Sequence, residues 1–399
     1  MTDPASLAEA HVMPTYRRYP VTFVSGKGMH LYDHEGGQYL DFVAGIGVAA
    51  LGHAHPAVAA AVAKQAATLV HVSNLYYTAP MARLAERLCE LLSWPDGRVF
   101  FANSGAEANE CAIKLVRRWS AGRSPQRTET IAAFGSFHGR TLETLAATGQ
   151  PSKWEPFLPL PPGFVHVPYD DPAALEAAVS ERTSSVLLEP ILGEGGVVVP
   201  SEGYLPAVRK ICDTHELAFI ADEVQTGLGR TGEWFGFQAS RAAPDVITLA
   251  KALGGGLPIG ACLARGELAS AFRPGDHAST MGGGPVACAA ALATLEVMEK
   301  EDLAGNARRV GGYLRARLED LAAGHPTSIT EVRGAGLLLA LQLSGDFARQ
   351  LVVGALWRGL LVNDVTPSAL RLCPPLIADE ADCDRAVEIL GRVLAEVRR

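Results

Sequence analysis

The chain is predicted to be an α/β protein: a large domain built on a mostly parallel sheet flanked by helices, joined to a small α+β domain. Three observations predict this. Short apolar runs alternate with helical periodicity through the middle of the sequence. The texture changes to charged amphipathic segments from about Leu303, and 399 residues exceed one ordinary domain.

The elements follow in order. The N-terminal segment, 1–59, carries the turn signals Gly26-Lys27-Gly28 and Gly36-Gly37 and is expected to pack with the small domain. Strands are expected over Arg98–Ala102, Thr130–Phe134, Ser185–Leu188, Leu217–Ala221, Val246–Leu249 and Gly260–Ala264, which sets the large domain at 60–300. Beyond it, 301–399 opens with a charged amphipathic helix. The runs Gly336–Leu343, Leu360–Val362 and Leu370–Leu372 then precede a final charged helix. No internal repeat is visible.

Hydrophobic residues make up 48% and charged residues 20%, with no polar low-complexity tract, so the chain is expected to fold throughout. Its net charge of -8 argues against a broad footprint for nucleic acid or an anionic membrane. The opening MTDPASLAEA lacks a basic stretch followed by an apolar one, and the longer apolar stretches are Ala/Gly-rich and interrupted. Neither a signal peptide nor a membrane span is expected, and the location expected is cytoplasmic. The seven cysteines are odd in number, widely spaced and mostly flanked by apolar residues, as buried reduced thiols would be. No CxxC occurs, and neither a disulfide framework nor a metal site is expected.

Two charges stand at the tips of apolar runs. Asp222 ends the run from Leu217, and Lys251 closes Val246 to Ala250 ahead of Gly254-Gly255-Gly256. Neither charge is cheap to desolvate alone, so the pair suggests one cofactor held between them. Pyridoxal phosphate needs this pair: an amine to bond its aldehyde, and a carboxylate to keep its ring nitrogen protonated.

After the strand at Arg98–Ala102, Ser104, Gly105 and Ala106 open a helical pattern, and Ser104 with Glu107 fits a capping box. A positive helix end with free N–H groups suits a phosphate; a plain helix cap uses the same residues. In Ser136-Phe137-His138-Gly139-Arg140, Phe137 could stack on a planar ring and Arg140 grip a carboxylate. The bland alternative makes Phe137 core, Arg140 a surface ion pair, and His138 a hydrogen-bonded structural residue. The loop from Glu189 to Gly196 brings Glu194 forward as the partner that Arg371, lying between Leu370 and Leu372, needs if buried.

Other motifs are decoys. Gly227 to Gly232 matches a dinucleotide fingerprint, but Glu233-Trp234-Phe235-Gly236-Phe237 follows it with no helical stripe. His53-Ala54-His55-Pro56 has no companion ligand nearby and reads as a turn. No Walker lysine motif or nucleophile elbow is present.

Taken in order, SGAEANE (104–110), SFHGRT (136–141), EPILGEGG (189–196), DEVQTGLGRTG (222–232), AKALGGGLPIGA (250–261) and HASTMGGGP (277–285) resemble the class III aminotransferases. The likeness runs from Tyr16 through LGHAHP (51–56) to LRLCPPL (370–376). It implies a fold-type I pyridoxal-phosphate enzyme, homodimeric, with active sites at the subunit interface. Lys251 would bond the cofactor and Asp222 bind its ring nitrogen. Val224 and Phe137 would sandwich the ring, Gln225 approach its hydroxyl oxygen, and Ser104, Gly105 and Ala106 cradle the phosphate. Thr280 would reach the neighbouring subunit's phosphate, so that a separated monomer binds cofactor poorly.

For substrate, the resemblance implies that Arg140 holds one carboxylate while Glu194 and Arg371 form a switchable pair, opened when 2-oxoglutarate brings a second carboxylate. Tyr16 and Asn74 match positions near the pocket. Within the class the likeness is greatest to members that pass the terminal amine of N-acetyl-L-ornithine to 2-oxoglutarate, giving N-acetyl-L-glutamate 5-semialdehyde and glutamate in arginine biosynthesis. Another ω-amine (ornithine, succinylornithine, 4-aminobutyrate or a lysine-pathway amine) is the rival donor, since pocket shape decides specificity. An aminomutase, or a cofactor-binding regulator on the same fold, stands further off. The chain departs from the family at Met281, Gly284 and Ala50, where an aromatic and two asparagines are usual.

Overall fold

The computed structural model describes residues 4–122 and 126–397. Near the N-terminus, β1 (Phe23–Lys27), β2 (His30–Asp33) and β3 (Gln38–Asp41) form an antiparallel meander. Then β4 (Arg98–Ala102), β5 (Glu129–Ala133), β6 (Phe164–Val167), β7 (Thr183–Leu188), β8 (Ala218–Asp222), β9 (Val246–Leu249) and β10 (Gly260–Ala264) build a seven-stranded sheet in the order β4-β10-β9-β8-β7-β5-β6.

Neighbours in this sheet run parallel except at β10, which is antiparallel to both β9 and β4. The reason is length. A parallel return needs a crossover of a dozen or more residues, and only 250–259 separate β9 from β10. The strands β7 to β10 are buried along their whole lengths, which is why they read as continuous apolar runs and not as alternation.

Both faces of the sheet are covered. Leu187 and Ile220 pack beneath the helix Gly105–Trp119, on its stripe Cys111, Ala112, Leu115 and Val116; Val186, Leu188 and Phe219 pack on the opposite side with Leu205, Val208 and Ile211 of the helix Tyr204–His215. Each such aliphatic side chain contributes about 1.5–3 kcal/mol by leaving water.

The C-terminal part carries β11 (Ile329–Ala335), β12 (Leu338–Leu343), β13 (Leu360–Leu361), β14 (Asn363–Thr366) and β15 (Ala369–Leu372). Four of them form the sheet β11-β12-β15-β14, while β13 pairs in parallel with β3, Leu360 opposite Leu40. Backbone bonds from Cys373 to Phe42 and from Leu376 to Ala50, each 2.7 Å, complete the link between chain ends.

Sequence and structure differ in detail. The strand expected over Thr130–Phe134 runs Glu129–Ala133, and that over Leu217–Ala221 runs Ala218–Asp222. The run Gly336–Leu343 breaks at Gly336, whose left-handed backbone (φ 54) turns β11 into β12. The edge strand β6 is four residues with a histidine in it, too short and mixed to read as a strand. All seven cysteines are free and six are buried. Among the described residues no helix is long and apolar enough to cross a membrane.

Candidate active site

The carboxyl ends of β4, β5, β7, β8 and β9 share one edge of the sheet, and a cavity of about 420 Å³ opens there. Ligands of open α/β sheets sit outside this edge. Ser104, Gly105, Ala106, Phe137, Arg140, Glu194, Asp222, Val224, Gln225 and Lys251 all line it.

Asp222 ends β8 and is 3% exposed. Its Oδ2 accepts from Asn109 Nδ2 at 2.7 Å and pairs with His138 Nδ1 at 2.8 Å, while Oδ1 accepts from the Val224 N–H at 3.0 Å. Asn109 is itself pinned: it donates to the His138 carbonyl and accepts from Thr248 Oγ1, at 2.8 and 2.7 Å. The carboxylate is therefore held in one orientation before any ligand arrives. His138 Nε2 is buried without a partner among the described residues.

Lys251 follows β9 in a left-handed conformation (φ 26), which costs a side-chain-bearing residue of order 1–3 kcal/mol and needs surrounding structure to hold it. Its amine has no hydrogen-bond or ion-pair partner among the described residues. Burial lowers its pKa below the usual lysine range; Glu194 opposes this, Arg371 adds to it, and Glu189 and Asp222 oppose it further. A lysine with a depressed pKa is a better nucleophile at neutral pH.

Ser104 caps the helix Gly105–Trp119, its Oγ accepting from Glu107 N at 3.2 Å. The expected capping box is modified, because the Glu107 carboxylate accepts instead from Asn103 N, at 2.6 Å. The first N–H groups of a helix have no intrahelical acceptor, so this end can hold an anion. A Cβ on Gly105 would lie 2.9 Å from both Val224 methyls, so glycine lets the helix start against that wall.

Phe137 lies beside the cavity, and its backbone N–H donates to Glu189 Oε1 at 2.9 Å. Glu189 also accepts from Gly193 N at 3.0 Å, tying the Phe137 loop to the glycine loop. Burial, then the charge of Asp222, push the Glu189 carboxyl up to about 7, against His138 and those two N–H groups.

Beyond the glycine loop, Arg371 Nη1 donates to Glu194 Oε1 at 2.6 Å and to Gln225 Oε1 at 2.9 Å. Arg371 is wholly buried in β15, and its Nη2 has no partner among the described residues. Close packing explains Gly193: a Cβ there would meet the Gln225 amide at 2.0 Å.

Four expected residues are not in the cavity lining of the single chain: Arg371, which stands behind Glu194 and Gln225, and Tyr16, Asn74 and Thr280. Tyr16 is 73% exposed. Asn74 donates to the carbonyls of Ser279 and Gly282, both at 3.0 Å, which places it against the loop of exposed Thr280 and Met281. Residues not singled out from the sequence also reach the site: Asn109, Glu189, Val48, Leu257, Pro258 and Ile259. For Asn109 a signal existed, a polar side chain within the apolar stripe of a helix.

The segment Gly227–Gly232 is a series of turns followed by a short 3-10 helix at Gly236–Ser240, not by an α-helix. Its Arg230 is buried and donates to the carbonyls of Leu337 and Pro374, bracing the two parts of the chain. His53 pairs with Asp41 at 2.8 Å, and His55 precedes the helix Pro56–Ala66.

The site therefore combines a free amine, an oriented carboxylate, an anion-binding helix end, apolar walls and a masked guanidinium. It can hold a planar phosphorylated ring bearing an electrophilic carbonyl. The family model for class-III aminotransferases matches residues 12–394. An acetylornithine aminotransferase of Gloeobacter violaceus is 50% identical over 392 residues, covering 98% of this chain and 97% of the other. One from Methanothermobacter thermautotrophicus is 46% identical over 391 residues, covering 98% of each. The structure matches an ornithine aminotransferase from Toxoplasma gondii, described with partial occupancy of PLP at its active site, with a TM-score of 0.94. That pair is 32% identical, covering 99% of this chain and 94% of the other.

Proposed function

The chain belongs to the class-III aminotransferases, and on that premise we propose that it transfers the terminal amine of N-acetyl-L-ornithine to 2-oxoglutarate with pyridoxal phosphate as cofactor. The products are N-acetyl-L-glutamate 5-semialdehyde and L-glutamate. The observation that carries this reading is the unpartnered Lys251 amine opening into a cavity that Asp222 also lines.

The residues fit the cofactor. When bound, it supplies an aldehyde that takes up the amino group and a ring that accepts electrons. Ser104, Gly105 and Ala106 would bind the phosphate, Phe137 and Val224 would flank the ring, and Gln225 would lie toward its hydroxyl. Asp222, fixed by Asn109 and His138, would keep the ring nitrogen protonated. Lys251 would hold the cofactor's aldehyde covalently, and once released by the substrate amine it would be the base within reach of the proton on the substrate's δ-carbon.

Substrate is sorted by charge. Arg140 takes the carboxylate of either substrate, while Arg371 stays neutralised by Glu194 until the second carboxylate of 2-oxoglutarate competes for it. Tyr16 and Asn74 complete the pocket's outer side.

The same reading makes the enzyme a cytoplasmic homodimer. Supporting the dimer, Leu75, Tyr76 and Tyr77 are 84%, 69% and 105% exposed and Met281 is 62% exposed, and Asn74, next to the first three, bonds to the loop that carries Thr280 and Met281. Thr280 then serves the partner's phosphate.

A half-reaction screen tests the proposal. Purified holoenzyme is mixed with N-acetyl-L-ornithine, ornithine, succinylornithine and 4-aminobutyrate, and loss of the cofactor's visible band is followed. Fastest conversion by the acetylated donor, with free aldehyde released, supports it. Equal or faster conversion by ornithine or 4-aminobutyrate overturns the donor assignment.

A further inference from the structure

Lys153 belongs to none of the roles above. It lies in a four-residue helix, Pro151–Trp154, anchored where Trp154 packs on His166 with ring centroids 5.2 Å apart. Its Nζ is 5.8 Å from the centroid of the Phe137 ring, and Arg140 Cζ is 5.6 Å from the same centroid. Two cations thus share the Phe137 ring, and that ring and Arg140 line the cavity. Among the described residues neither reaches a carboxylate at ion-pair distance, and Glu194, the acid that acts on Lys153, is committed to Arg371.

The two positive charges repel unless an anion joins them. Burial, and then the charge of Arg140, lower the Lys153 pKa, in keeping with an uncompensated pair. Gln150 Oε1 accepts from Lys153 Nζ at 2.5 Å, so the amine is held in place without losing its charge.

We propose that Lys153 and Arg140 together clasp the carboxylate at the substrate end remote from the reacting amine, and that Lys153 sets the preference for an N-acylated amino acid over the free one. This rests on the reading given under Proposed function. In free ornithine the α-ammonium is one carbon away from that carboxylate, so binding brings a third positive charge to the clasp. Acylation replaces it with a neutral amide. Each cation then discriminates by about fivefold where its charge is screened as in bulk water, and by more where it is partly desolvated.

The test uses holoenzyme and the variants Lys153→Gln and Lys153→Arg. The ratio of kcat/KM for N-acetyl-L-ornithine to that for L-ornithine should fall about fivefold or more in Lys153→Gln and recover in Lys153→Arg. The Kd of glutarate, a dicarboxylate that cannot react, should weaken by a similar factor in calorimetry and lose part of its salt dependence. A merely structural role would lower kcat/KM for both donors alike and leave glutarate binding unmoved; that result overturns the proposal. A wild-type donor ratio near one sinks the parent reading instead, and glutarate binding then decides the clasp alone.

Discussion

Glu194 Oε1 and Arg371 Nη1 lie 2.6 Å apart, and the guanidinium on one side of that contact is closed to solvent. Burial opposes ionisation of Glu194, yet Arg371 and Lys251 outweigh it and hold its pKa below the ordinary range. A carboxyl lowered in the folded state stabilises above its ordinary pKa, and the contribution is lost as pH falls through the folded value. Glu194→Ala leaves Arg371 with only neutral acceptors and should destabilise the protein by about 3 kcal/mol in urea unfolding. If the pair is the proposed gate, the same variant also lowers the KM for 2-oxoglutarate while slowing the amine-donor half-reaction. Parallel losses in both half-reactions would contradict a gate.

Asn109 joins Asp222, Thr248 and the His138 carbonyl in one buried knot. Asn109→Leu strips a donor from the carboxylate and leaves buried polar groups unmet, at a cost of about 2 kcal/mol. Cofactor affinity should fall about tenfold as Asp222 loses its fixed orientation, measured by quenching of intrinsic fluorescence on titration. Unchanged affinity would confine Asn109 to a packing role.

The exposed Leu75-Tyr76-Tyr77 segment gives a direct test of assembly. Placing charge there, as in Tyr77→Asp, should yield monomer in sedimentation velocity, because desolvating an unpaired carboxylate opposes association. If Thr280 completes the partner's phosphate site, the monomer releases cofactor on gel filtration while the wild-type dimer retains it. A monomer that keeps its cofactor would rule out the shared site.

Glu223 is buried, accepts from Gly236 N at 2.9 Å and Phe237 N at 2.8 Å, and is pushed up from 4.5 to about 7 chiefly by burial. Its folded pKa is raised, so its contribution is complete below the unfolded value and is lost as pH climbs through the folded one. Glu223→Gln, which has no proton to lose, should gain on the wild type by up to about 3 kcal/mol between pH 4.5 and 7. Unfolding midpoints across that window check it; parallel curves would place the titration elsewhere.

What could be read in the chain was what interrupts an apolar pattern. Asp222, Lys251 and Arg371 are charges at or inside runs that had to be buried, and burial demands a partner. The parallel strands were legible for the same reason. Asn109 was harder, because its partners lie at 222 and 248 and are reached only through the sheet. Val48 arrives at the cavity from the N-terminal segment with no local mark. Lys153 sits in a helix too short to show a period. The antiparallel β10 followed from a loop length rather than from its composition.

The site draws on the ends of β4, β5, β7, β8 and β9, segments spread from Ser104 to Lys251 and adjacent only once the strands have paired. No fragment or half-formed intermediate can present the whole set of contacts. A ligand that needs all of these contacts binds the folded chain and not the unfolded one, so if pyridoxal phosphate occupies the site as proposed, it stabilises the fold by mass action and the unfolding midpoint rises with its concentration.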